Sequence, residues 1–123
     1  MNDLLISKTT LTPQVQFLAS GNLLIKGIST PENAMAFFKP LFNWVADFQE
    51  SGAKKISLVL EIEYLNSTSM KAIVELLILL EKIKATGVSV EVMWRYEKED
   101  SDMHDLGMDL KLGSNSDVTF IAV

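Results

Sequence analysis

A chain of 123 residues with 48% hydrophobic and 22% charged content suits one folded domain around one core, and that balance excludes a disordered polymer. A formal net charge of -5 and a pI near 4.8 argue against general binding to nucleic acid or to anionic membranes, both of which favour a basic face. The absence of cysteine removes disulfides, thiolate catalysis and Cys-ligated zinc.

The first residues, Met1-Asn2-Asp3-Leu4-Leu5-Ile6, show no basic stretch leading into a long apolar run, so no secretory signal is visible. Residues 14–19 alternate weakly, and the run from Asn22 to Ile28 follows directly after Ser20-Gly21. Two short runs joined by a glycine-containing turn predict a β-hairpin. Ser29-Thr30-Pro31-Glu32-Asn33 reads as a helix start, with Thr30 as N-cap, Pro31 at the first helical position and Glu32 near the positive dipole end. That helix should reach about Glu50 and bury Phe37, Phe38, Leu41, Trp44, Val45 and Phe48. Pro40 predicts a kink or an early break, and Ser51-Gly52 a stop.

From Lys55 to Glu63, Ile56, Leu58, Leu60 and Ile62 share one face, while Ser57, Glu61 and Glu63 share the other; Val59 is the apolar exception there. From Val88 to Trp94, Val88, Val90, Val92 and Trp94 oppose Ser89, Glu91 and Met93. Alternation of this kind predicts a sheet with one wet face and helices mainly on the other. Between the two strands a helix from about Thr68 to Ala85, ended by Gly87, carries an apolar stripe of Ala72, Ile73, Leu76, Leu77, Leu79, Leu80 and Ile83. Lys71, Glu75 and Lys82 mark its opposite face, and Val74 and Ile78 fall beside them. These two are either scattered exposed apolar residues or a strip that binds a partner.

Residues 97–102 read as an acidic loop, residues 103–110 as a short helix and residues 117–123 as a last strand. The longest apolar run, Leu76 to Leu80, is far too short to cross a bilayer, so no membrane insertion and a cytoplasmic location are expected. The predicted order is β-β-α-β-α-β-(α)-β: a single α/β domain over residues 1–123, with a mixed sheet of about five strands and helices packed mainly on one face.

Catalytic constellations are missing. The one histidine, His104, lies in an acidic stretch and reads as a solvated side chain rather than a triad member. The six glycines match neither a phosphate loop nor a dinucleotide fingerprint, so no cofactor is expected. Glu97, Glu99, Asp100, Asp102, Asp105 and Asp109 fit no EF-hand spacing and read as solvated charge, so no metal is expected. Glu61 and Glu63 need no catalytic explanation on the wet face of a sheet. The chain does not read as an enzyme.

Chemistry concentrates instead at Tyr64-Leu65-Asn66-Ser67-Thr68-Ser69-Met70-Lys71. Three consecutive hydroxyl residues stand where a strand gives way to a helix, at unpaired N–H groups and the positive end of a dipole. Asn66 or Ser67 can simply cap the helix. The same physics would welcome a phosphoryl group on Ser67, which adds a charge of about -1.5 to -2. The dipole would stabilise that charge, so the effect would fall on a partner rather than on the fold.

Those residues, together with Ser29-Thr30-Pro31-Glu32-Asn33, Trp44, Ala72 and Trp94-Arg95-Tyr96, resemble the SiaC-type regulatory phosphoproteins of bacteria, over nearly the whole chain from Thr12-Pro13 to the final strand. The resemblance implies a fold similar to the STAS domain of anti-sigma-factor antagonists, where a phosphorylatable hydroxyl opens the helix after a central strand. It also implies a partner switch run by a cognate serine/threonine kinase and a PPM-type phosphatase. The unphosphorylated form is expected to bind and activate a diguanylate cyclase, raising cyclic-di-GMP and promoting biofilm formation. Carried over by position, the acceptor is Ser67. The family often has threonine there followed by two serines, so Thr68 stands as a second candidate; Ser69 is third, because it points toward the apolar stripe. Asn66 and Lys71 would shape the partner-facing rim, with Lys71 able to pair with the phosphate. The expected partner surface is thus Asn66, Ser67, Thr68, Ser69, Lys71, Val74 and Ile78. Pro31, Glu32 and Asn33 are expected to serve the helix start, with contact to the kinase a weaker role. An anti-sigma factor as partner is the alternative output of the same fold, and a small ligand- or metal-sensing domain using Glu61, Glu63 or the acidic group is the remaining one.

Overall fold

Alternating apolar residues build the sheet strand by strand in the computed structural model, which describes residues 1–123. The elements are β1 (Leu4–Ile6), β2 (Gln14–Phe17), β3 (Asn22–Ser29), α1 (Ala34–Glu50), β4 (Lys55–Leu65), α2 (Ser67–Lys84), β5 (Ser89–Tyr96), α3 (Ser101–Ser114) and β6 (Thr119–Ala122). The six strands lie in one sheet in chain order, β1-β2-β3-β4-β5-β6. The β1–β2 and β2–β3 pairs are antiparallel and the other three pairs parallel.

Each parallel pair is joined through a helix, and such crossovers are nearly always right-handed. A sheet that grows in one direction by crossovers of one hand keeps every helix on one side. The burial pattern agrees. Val15, Phe17, Leu23, Ile25, Ile56, Leu58, Leu60, Ile62, Val92 and Trp94 are buried on the helix side of the strands. Phe38, Leu41, Trp44, Val45 and Phe48 of α1 cover them together with Ala72, Ile73, Leu76, Leu77, Leu80 and Ile83 of α2. Helix α2 packs against both α1 and α3 and is the middle helix of the layer.

The open side of the sheet is mixed. Leu5, Gln16, Leu24, Val59, Met93 and Thr119 form a register row across all six strands. Beside it Glu61 accepts from Arg95 at 2.6 Å and lies 3.6 Å from Lys26. The alternation that sets Glu61 opposite the core thus places it in a row of ion pairs with Lys26 and Arg95.

Four local expectations change. The N-cap of α1 is Asn33, not Thr30; Asn33 Oδ1 accepts the Ala36 N–H at 3.0 Å. Thr30 instead continues strand-like pairing, its N–H donating to the Leu11 carbonyl at 2.7 Å, so Pro31 and Glu32 precede the helix. Pro40 neither breaks nor shortens α1, which runs unbroken from Ala34 to Glu50. The carbonyl that loses its partner belongs to Ala36, and both residues are exposed, so water can take the bond. Burying the aromatic stripe, at about 1.5–3 kcal/mol per large side chain, offsets the ~3 kcal/mol that proline costs inside a helix. A strand not expected from the sequence, β1, raises the count to six; its three residues are too few to show alternation. The acidic stretch is partly a helix start: Asp100 Oδ1 caps α3 by accepting the Met103 N–H at 3.1 Å, and Asp102 occupies the first turn. Acidic residues at a helix N-terminus follow the dipole.

Helix α3 is held by a close approach to Trp94. The indole Nε1 donates to the Met103 carbonyl at 2.9 Å, and a Cβ added at Gly107 would meet the ring at 2.6 Å. Gly107→Ala should therefore lower stability by about 1–2 kcal/mol, the clash outweighing the ~1 kcal/mol gain in helix propensity. Urea unfolding followed by tryptophan fluorescence reads this directly; an unchanged midpoint would mean that α3 can slide away from Trp94 at no cost.

Candidate functional site

The site begins with an irregularity between β3 and β4. Their register runs from Asn22↔Ser57 to Gly27↔Ile62 and then jumps to Ile28↔Tyr64, leaving Glu63 as the extra residue. Opposite the irregularity on β3, Gly27 holds a positive φ of 120°, a conformation that favours glycine. The jump reverses the alternation of β4. Tyr64, which a continued pattern would bury, is 56% exposed, and Leu65 turns inward instead.

Asn66 then ends the strand in an extended conformation (φ -81°, ψ 171°) and caps α2. Its Oδ1 accepts the Ser69 N–H at 2.9 Å and the Thr68 hydroxyl at 3.2 Å. Its own N–H donates to the Ser29 carbonyl at 3.0 Å, and its carbonyl accepts the Met70 N–H at 3.0 Å. Of the two cap candidates, the structure selects Asn66. Ser67 is thereby released from capping: it is the first helical residue, exposed, and its hydroxyl takes no bond within the protein.

Thr68 is also exposed, but its hydroxyl is engaged by Asn66. Ser69 is fully buried, with its Oγ 2.8 Å from Ser29 Oγ. Its expected place on a partner-facing surface is corrected: the third helical position faces the sheet and presents nothing to a partner while the first turn stays wound. Val74 is corrected in part. It is half-buried, and its Cγ2 lies 3.5 Å from a Cβ built at Gly113 of α3, so most of its apolar area is spent within the fold. Lys71 and Ile78 are exposed as expected.

Ser67, Lys71, Glu75, Ile78 and Lys82 follow one another at three- and four-residue steps and share one face of α2. That line runs from the free hydroxyl into a shallow groove between α1 and α2, lined by Met35, Phe42, Glu75, Ile78, Leu79 and Lys82. Met35 and Phe42 are one heptad apart on α1, a spacing that marks them as neighbours on one face. Neither Met35 nor Phe42 stands out in the sequence, whereas Ser29 and Tyr64 belong to segments that do, and the structure adds the burial of the first and the exposure of the second.

The charge around the hydroxyl is arranged for an anion. Helix α2 has no acidic residue in its first turn and carries Lys82 and Lys84 in its last. Its positive end is uncompensated, in contrast to α3 with Asp102. The first-turn N–H groups of Ser67 and Thr68 have no intrahelical acceptor. Of the alternative centres, Glu61, Glu63, Glu97 and Asp100 line one pocket beside Lys26 and Arg95, but no group of three or more His, Asp or Glu side chains is placed to hold a metal ion, and no helix is long and apolar enough to cross a membrane. His104 lies 3.2 Å from Asp105 and packs on the rings of Tyr96 and Phe120.

The family model for SiaC-family regulatory phosphoproteins matches residues 6–123. The chain belongs to the SiaC family. An uncharacterized protein of Pseudomonas aeruginosa strain UCBPP-PA14 is 33% identical to it over 112 residues, covering 90% of this chain and 89% of that protein. The crystal structure of apo-SiaC from Pseudomonas aeruginosa superposes with a TM-score of 0.90 at 31% identity, over 99% of this chain and all of that one. A chain in the crystal structure of the diguanylate cyclase SiaD in complex with its activator SiaC, from the same species, superposes with a TM-score of 0.92 at 30% identity, over 98% of this chain and all of that one. The SiaC-family fold therefore extends over the junction, the bulge and the groove described above.

Because Asn66 closes the first turn alone, Asn66→Ala should cost about 1 kcal/mol. Asn66→Asp should restore most of that loss. The unfolding midpoint of both variants checks the pair; equal stability of Asn66→Ala and the wild type would remove the cap from the account.

Proposed function

We propose that the chain is a non-enzymatic, phosphorylation-controlled partner switch whose unphosphorylated form binds and activates a diguanylate cyclase, thereby raising cyclic-di-GMP and promoting biofilm formation. A cognate serine/threonine kinase modifies Ser67, and a PPM-type phosphatase reverses the change. One observation carries the reading: Ser67 offers a free, exposed hydroxyl at the first position of a capped helix, at the head of the face that leads to the α1–α2 groove. Membership of a regulatory phosphoprotein family, and a relative crystallised as the activator of a diguanylate cyclase, support the assignment of class and partner.

The chemistry is simple. The Ser67 oxygen attacks the γ-phosphorus of ATP, ADP departs, and the hydroxyl proton passes to a base of the kinase. Attack by water in the phosphatase returns the hydroxyl and releases inorganic phosphate. Ser67 is favoured over Thr68 because modification of Thr68 would give up its bond to Asn66. Ser69 would require the first turn to unwind.

The modified side chain would add a charge of about -1.5 to -2 at the positive end of α2, worth about 0.3–1 kcal/mol of stabilisation from the dipole. Lys71, one turn on, can approach the phosphate. The fold thus tolerates the phosphate, whereas a partner surface shaped to a small neutral hydroxyl does not: it would have to desolvate charge. Asn66, Thr68, Lys71 and Ile78 form the rest of the partner-facing surface, with Val74 contributing an edge.

Peptide mass spectrometry of protein from the native host should place phosphate on Ser67. Diguanylate cyclases of that host, assayed one by one for cyclic-di-GMP formation from GTP, should include one that the unmodified chain activates. Ser67→Ala should bind that cyclase as the unmodified chain does. Ser67→Glu should bind at least ~10-fold more weakly, about 1.4 kcal/mol. Equal binding by both variants would show that Ser67 does not control the contact.

A further inference from the structure

Ser29, the last residue of β3, is fully buried and lies outside the hydroxyl triplet. It touches the acceptor corner twice. Its carbonyl accepts the Asn66 N–H at 3.0 Å, and its Oγ lies 2.8 Å from Ser69 Oγ. Asn66 Oδ1 in turn accepts the Ser69 N–H at 2.9 Å. Ser29, Asn66 and Ser69 therefore close a ring of three hydrogen bonds, and the two residues it leaves outside, Ser67 and Thr68, are the exposed ones.

We propose that Ser29 and Ser69 are positioning residues of the switch: their buried bond ties the end of β3 to the first turn of α2 and fixes the direction in which the Ser67 hydroxyl leaves the surface. The role rests on the reading of Ser67 as phosphoacceptor.

Stability alone gives little reason for this pair. Two buried hydroxyls lose their hydration and return roughly the net value of one hydrogen bond, and an apolar pair of similar shape would serve the core about as well. Each oxygen makes only this bond, so one of the two hydroxyl hydrogens stays unspent. The other buried hydroxyl pair, Ser114 and Ser116, spans two residues and finishes a helix; Ser29 and Ser69 are separated by 40 residues. A bond of that span sets one element against another. The bulge serves the same end: Ser29 faces the helix layer in the unbroken alternation of β3, and the shifted register turns its partner Leu65 toward that layer as well. A group-transfer reaction is sensitive to such control, since misplacement of an attacking atom by about 1 Å can lower a rate ~100-fold.

The test is the double variant Ser29→Ala/Ser69→Ala, with each single variant beside it. A single substitution strands one buried hydroxyl; the double one removes both, and should unfold within a few degrees of the wild type. Two readings follow on the full-length chain. Hydrogen exchange at the Ser69 and Met70 amides should quicken about tenfold, while the Leu76 and Leu77 amides keep their rates. Phosphorylation of Ser67 by ATP and a soluble kinase fraction of the native host should fall about tenfold in kcat with KM for the protein unchanged. Unchanged exchange would overturn the ring as a constraint. Faster exchange with an unchanged kcat would reduce the pair to packing. A wild-type chain that takes no phosphate would overturn the acceptor reading, and the positioning role with it, whatever the exchange rates show.

Discussion

The constraint on which the rest depends is the handedness of the strand crossovers acting on a sheet that grows in one direction. Each parallel connection returns to the neighbouring strand, so all three helices collect on one face and α2 becomes the central one. Its N-terminus must then sit at the carboxyl end of β4, the most deeply paired strand. Placing the helix start there puts it beside the end of β3 as well. Ser29 can reach Asn66 and Ser69 only because of that arrangement. The free hydroxyl at Ser67 is a local detail resting on a global rule.

Rigidity and exposure are divided between adjacent residues at this corner. Asn66 and Ser69 carry the side-chain hydrogen bonds, and the Ser67 hydroxyl carries none. The usual way for a serine at a helix start to be occupied is by capping, and here asparagine does that work one residue earlier. The serine is thus surplus to the fold, which is what a reversible modification needs. A covalent addition at a structural cap would have to compete with the helix it supports.

Much of this could be read from the chain because alternation and helical periodicity are strong signals. The period of two in residues 55–63 and 88–94 and the apolar stripe of residues 72–83 gave the one-faced sheet and the central helix correctly. The failures have physical causes. Thr30 and Asn33 are both good caps, and only the pairing of Thr30 with Leu11 decides between them. Pro40 is tolerated because its orphaned acceptor faces water, a matter of helix phase against a core not yet placed. The exposure of Tyr64 was out of reach because a bulge has no signature in one strand alone; it is a property of the pair. Val74 looked exposed because its contact, Gly113, lies in the last turn of α3, beyond residue 110, where the sequence pattern ends the helix.

Strand order that follows chain order has a consequence for how the molecule is made. From β3 onward, every strand docks beside the one completed just before it, and the loop closed at each step is only a single helix with its turns. No strand must wait for a distant segment to complete its pairing, so the entropy of loop closure is met in small instalments. A chain of this topology can assemble progressively as it leaves the ribosome. The corner that holds Ser67 is complete once α2 has formed against β3 and β4, before β5, α3 and β6 have joined.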